Sequence, residues 1–178
     1  MAQIQLPRLR EAKNDPHLKR AGGVEPRFVP GHPRGVRDQV NTLFGSFITD
    51  HIERRVSCAF ETTLRSSITL EQAAKARQVG FFTEMRYIAL KDFGMHPERV
   101  KMRAGAGGHS APESLLKAIY ESSINHLARA IREIDFIHVY DNSRWGIEPA
   151  LLLQAEGGEI IYLAEDNPGW LMRILRQL

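Results

Sequence analysis

Cysteine is nearly missing from this chain: Cys58 stands alone among 178 residues. One thiol excludes an intrachain disulfide framework and a CxxC metal knuckle, and it fits a reducing compartment. No apolar run approaches the roughly 18–20 residues that a membrane span needs. The opening MAQIQLPRLREAKND has no apolar signal-peptide core. The expectation is a soluble, cytoplasmic protein with no membrane partner. A strong excess of one charge is also missing. Lys and Arg number 24 against 21 Asp and Glu, a net +3, which leaves no footprint for a nucleic-acid partner. The seven histidines never fall into HxxxH or HExxH spacing, so no metal set is expected. There is no GxSxG nucleophile elbow. Trp145 and Trp170 stand apart and make no stacking platform.

What is present is ordinary for a globular domain: 43% hydrophobic and 25% charged residues. Residues 1–35 read as a basic arm rich in proline and glycine, with Pro7, Pro16, Pro26, Pro30 and Pro33 breaking any long helix. Only Val24–Val29 looks strand-forming there. A folded domain is expected over 36–178. Val36, Val40, Leu43, Phe44, Phe47, Ile48 and Ile52 recur at three- and four-residue steps, which predicts an amphipathic helix to about Arg55. Ser57–Phe60 is a buried-strand candidate, with Cys58 as a small core residue. A helix over Thr69–Val79 is capped by Thr69 and closed by Gly80. A strand is expected at Thr83–Leu90, and a short helix at Glu98–Arg103. Pro112 opens a long helix to about Glu133. Asp135–Tyr140 is a strand, Leu151–Gln154 and Glu159–Leu163 are short strands or a strand and a helix, and Pro168–Leu178 is a closing helix. Alternating helices and strands predict an α/β fold with a mostly parallel sheet.

Three clusters carry candidate chemistry. The first is Glu61-Thr62-Thr63, just after the candidate strand at 57–60. Ligands in open α/β sheets bind outside the carboxyl ends of strands, and a carboxylate with two hydroxyls suits a hydroxyl-rich small molecule. Equally, Thr62 or Thr63 caps a turn and Glu61 is solvated. In the second cluster, Arg99 and Arg103 share one helix face and precede Gly105-Ala-Gly-Gly-His109 and a helix start. That combination suits a phosphate, or it is a solvated arginine pair and a loop. The third is Tyr140-Asp141-Asn142-Ser143, which either holds a nucleotide base or simply turns the chain.

In this order and spacing the clusters resemble the zeta-toxin family of P-loop small-molecule kinases. The residues that carry the resemblance are FETTL at 60–64, Ala76 with Gly80, Arg99-Val100 with Arg103, Gly107-Gly108-His109 followed by Pro112-Glu113, and VYDNS at 139–143. The resemblance covers about residues 36–178. It implies a P-loop-kinase-like fold and ATP- and Mg-dependent phosphorylation of a sugar hydroxyl on a nucleotide sugar such as UDP-N-acetylglucosamine. It places Glu61, Thr62, Thr63 and Tyr120 at the substrate and Arg99, Arg103, His109 and Asn142 at the nucleotide and phosphates. Arg103 stabilises the transferring phosphoryl group, since such transfer is mostly positioning and charge neutralisation. A nucleotide sugar, an antitoxin, or a partner chain completing the sheet are the implied partners.

The chain departs from that pattern at its start. GxxxxGK[ST], the phosphate cradle of the family, does not occur in these residues. No aspartate base stands near Arg27-Phe28-Val29, and Ala118-Ile119-Tyr120 replaces an Arg-Arg-Tyr. These losses predict an inactive or truncated kinase, because each group is a main source of charge stabilisation. They also predict unpaired sheet edges where the P-loop strand would lie, left for a rearranged arm or another chain to fill. A non-catalytic nucleotide-sugar-binding or protein-interaction module is the alternative.

Overall fold

The computed structural model describes residues 34–105, 107 and 110–178. Residues 1–33 of the expected arm, with the Val24–Val29 strand, and Gly108 and His109 lie outside those residues; Arg34 and Gly35, expected in the arm, already belong to the first helix.

The longest helix organises the core. Helix α4 (Glu113–Glu133) buries Ile124, Leu127, Ala128 and Ile131 at three- and four-residue spacing, the stripe an amphipathic helix lays on a sheet. It starts directly after Pro112, whose φ of −57° and ψ of 143° bring the chain into the helix from an extended conformation. Against this stripe lies a four-stranded sheet in the order β1-β2-β3-β4. The strands are β1 (Glu84–Ala89), β2 (Phe136–Asp141), β3 (Ala150–Glu156) and β4 (Glu159–Leu163). Ile137 and Val139 of β2 and Leu153 of β3 are fully buried, as are Leu171 and Ile174 of the closing helix α5 (Gly169–Leu175).

Strands β1 and β2 run parallel, joined by a crossover through α3 (Met95–Gly105) and α4, as parallel pairs require. Strands β2/β3 and β3/β4 are antiparallel. The α/β class therefore holds, but the mostly parallel sheet expected from sequence is corrected: one pairing of three is parallel. The cause is local. Glu156-Gly157-Gly158-Glu159 makes a two-residue hairpin with φ of 58° and 88° at the glycines, the mirror-image turn that needs positive φ at both central positions. Both segments flanking it are thus strands, and no helix intervenes.

Two helices precede the sheet, α1 (Arg34–Glu53) and α2 (Ile68–Gln78). Gly80 follows α2 with φ of 91°, and its N–H bonds the Arg77 carbonyl at 2.9 Å, as expected of the closing glycine. The cap at the other end is Ser67, not Thr69; the Ser67 hydroxyl donates to Glu71 at 2.7 Å. The strand expected at Ser57–Phe60 does not form. Residues 56–66 are irregular, and Ser57, Cys58, Ala59 and Phe60 are all exposed. A strand needs a neighbour to take its backbone hydrogen bonds, and among the described residues none lies beside this segment. Cys58 is correspondingly an exposed thiol, not a core residue.

An ionic clip ties the start of the parallel pair to α2. Asp135 accepts from the Thr83 backbone N–H and hydroxyl, both at 2.8 Å, through one oxygen, and meets Arg77 at 2.8 Å through the other. Partial burial pushes this carboxyl up, but the Thr83 hydrogen bonds and the Arg77 charge outweigh it and hold it below the usual aspartate value. No helix among the described residues is long and apolar enough to cross a membrane.

Candidate functional site

The carboxyl ends of β1 and β2 lie side by side, which is where open α/β sheets collect ligands. Asn142 leaves β2 and donates its N–H to the Ala89 carbonyl at 2.9 Å, one last rung of the parallel ladder. Asp141 Oδ1 then accepts the Ser143 N–H at 2.8 Å. The Ser143 hydroxyl in turn accepts the Lys91 N–H at 2.6 Å. The turn chemistry of Asp141-Asn142-Ser143 thus welds the two strand ends together, as an Asx turn does. From beneath, the buried Trp170 donates its indole N–H to the Leu90 carbonyl at 3.1 Å.

Helix α3 stands over this edge. Its approach is set by Asp92, whose Oδ1 accepts the Gly94 N–H at 2.6 Å and whose carbonyl accepts the Met95 N–H at 3.3 Å. Arg99 reaches from α3 to the carbonyls of Asn142 and Ser143, at 2.5 and 3.1 Å, and lies 5.5 Å from the centre of the Trp145 ring. Its fork thus closes the β2 turn with part of its five donors. Arg103, one turn further along α3 and on the same face, is exposed. Trp145 is 72% exposed, an open aromatic face beside a guanidinium.

Behind α3, Phe93, His96 and Tyr120 form a ring cluster. Tyr120 lies 5.5 Å from Phe93 and 5.1 Å from His96. Burial, reinforced by the Arg99 charge, holds His96 below the usual imidazole value despite Asp92. Burial also pushes the Tyr120 phenol up. Tyr120 further borders a shallow cavity of about 240 Å³ between α4 and α5, with Glu121, Asn125, Arg173 and Gln177 among its lining.

The structure therefore brings Arg99, Asn142 and, one shell away through His96, Tyr120 to one end of the sheet. It leaves Glu61, Thr62 and Thr63 on the exposed irregular segment, not at a strand's carboxyl end. There Thr62 accepts the Leu64 N–H at 3.1 Å and meets the Thr69 hydroxyl at 3.3 Å, which is turn chemistry. Leu64 itself is buried, with φ of 52°, and its carbonyl meets His126 of α4 at 2.9 Å. No hydrogen bond or ion pair joins Glu61–Thr63 to Arg99, Arg103 or Asn142 among the described residues. Sequence reasoning set Trp145 aside as isolated and did not single out His96. Trp145 stands two residues beyond VYDNS, and that proximity was the one available signal; its contact with Arg99 is tertiary.

No group of three or more His, Cys, Asp or Glu side chains converges among the described residues, and Asp92 and Asp141 are each engaged in a turn.

Comparison with known proteins finds no matching family model and no matching solved structure. Over 69 residues, 39% of this chain, it is 26% identical to a protein of Haemophilus influenzae (strain Rd) described as "Uncharacterized protein". The matched segment spans about half, 49%, of that relative's length.

Proposed function

We propose that this chain is a zeta-toxin-like protein of P-loop-kinase descent that binds a nucleotide sugar without phosphorylating it. The observation that carries the reading is the edge at the carboxyl ends of β1 and β2. There the VYDNS turn is held by Arg99, with Arg103 exposed on the same helix face and Trp145 open beside it. In this reading Arg103 meets a phosphate of the ligand, Trp145 stacks on its base, and Arg99 positions the turn. A guanidinium suits a diphosphate because it donates several hydrogen bonds in a plane. In this reading the exposed Glu61, Thr62 and Thr63 meet the sugar hydroxyls.

No phosphoryl-transfer step is assigned. ATP with Mg needs a P-loop lysine and free carboxylates; the sequence has no GxxxxGK[ST], and Asp92 and Asp141 are engaged in turns. The outer edge of β1, unpaired among the described residues, fits the same reading, because the P-loop strand of such a fold would pair there. The test is calorimetric titration of UDP-N-acetylglucosamine, with phosphoryl transfer from ATP assayed in parallel. Weak binding by the wild type is expected, with about tenfold loss in Arg103→Ala, since one charged hydrogen bond is worth roughly a decade of affinity. Glu61→Gln should lose a similar factor. Absence of binding to folded protein, or chain-dependent phosphorylation that Arg103→Ala abolishes, overturns the proposal.

A further inference from the structure

We infer that β1 is a homodimerisation edge: two copies pair antiparallel through their β1 strands about a two-fold at Met85, making one continuous eight-stranded sheet. Among the described residues, strand β1 has a partner on one side only. The Thr83 and Ala89 carbonyls accept from Phe136 and Asn142 on the β2 side. Backbone groups alternate sides along a strand, so the N–H and C=O of residues 84, 86 and 88 point to the free edge. Such an edge is a template for another strand.

The exposed side chains choose the register. Residues 82, 84, 86 and 88 share the sheet face away from α4. Phe82 is 68% and Ile88 59% exposed, and Glu84 and Arg86 form a solvent-exposed ion pair at 3.0 Å. Outward-pointing groups must meet outward-pointing groups, so the two-fold falls on a residue and the registers are few. Centred on Met85, pairing sets Glu84 against Arg86 of the second copy and Phe82 against Ile88, each twice by symmetry. Opposite charges and an aromatic–aliphatic pair directly across strands are both stabilising. Centred on Arg86, the strands oppose two arginines; centred on Glu84, two glutamates. The rival edge, β4, holds one charged residue, Glu159, so no copy of itself can offer it a complementary charge.

The test is sedimentation equilibrium of the full chain, and it is independent of nucleotide-sugar binding. The wild type should dimerise. Arg86→Glu and Glu84→Arg should each weaken the dimer by at least about tenfold, because both set like charges across the two-fold. An equimolar mixture of these two variants restores opposite charges in every pair, so it should form heterodimer, which also shows that each variant is folded. A wild type that stays monomeric, a mixture that fails to associate, or a dimer insensitive to both variants but lost in Ile161→Lys would overturn the inference.

Discussion

The two longest helices of the described chain, α1 and α4, fulfil the same kind of sequence pattern with opposite results. In α4 the apolar stripe is buried: Leu127 and Ile131 are 0% exposed. In α1 an equally regular stripe stays in solvent, with Leu43 at 70% and Phe47 at 42%, and among its described side chains only Ile48 is buried. Helical periodicity needs only the helix itself, so both helices form. Burial needs a second surface, and among the described residues the sheet supplies one to α4 and not to α1. The FETTL segment repeats the lesson for a strand. Its composition suits a sheet, yet without a neighbour among the described residues it stays irregular, and Phe60 rests edge-on against Phe44 at 5.1 Å in place of a core.

The sharpest way to break this contrast is truncation on each side. Leu127→Ala should cost about 2–5 kcal/mol in urea unfolding, the price of a core cavity, whereas Leu43→Ala should stay within about 0.5 kcal/mol. Equal costs would show that α1 is packed in solution. Phe60, expected from sequence to point into the core, is 37% exposed. Phe60→Ala should therefore cost no more than about 0.5–1.5 kcal/mol, the worth of an aromatic edge contact.

The clip at Asp135 gives the next largest effect. Asp135→Asn should lose about 1.5–3 kcal/mol, the range for hydrogen bonds to a charged group. Because the folded carboxyl lies below its unfolded value, its contribution is present at neutral pH, above the unfolded pKa. It fades as pH falls through the depressed folded value. Unfolding curves of wild type and variant should therefore converge in acid, and a gap that stays constant with pH would refute the clip. Smaller still is Tyr87→Phe, which removes a hydrogen bond to Ser123 of 2.9 Å and should cost about 0.5–1.5 kcal/mol.

Much of the second half was legible in sequence. Pro112 and the apolar run of β2 each act locally, so residues in sequence order were enough to place α4 and β2. The hairpin at Gly157-Gly158 went unread, leaving β3 and β4 undecided between strands and a strand with a helix, and the sense of the pairing was missed because strand direction is a tertiary property. The site was legible in part. Arg99 and Asn142 were named from motif spacing and do lie together, but that Arg99 grips the turn carbonyls depends on how α3 tilts over the sheet. Glu61, Thr62 and Thr63 were placed by assuming a strand whose existence depended on a neighbour the described chain does not offer.

Trp145 gives the most direct reading of the proposed site, because it is exposed beside Arg99 while Trp170 is buried against Leu90. Fluorescence of the wild type and Trp145→Phe should be followed as UDP-N-acetylglucosamine is added, with Arg103→Ala alongside. The account predicts a saturable change in the wild type, none in Trp145→Phe, and a midpoint shifted to about tenfold higher ligand in Arg103→Ala. A flat wild-type titration, or a change that survives in Trp145→Phe with an unmoved midpoint in Arg103→Ala, would contradict binding at the carboxyl ends of β1 and β2.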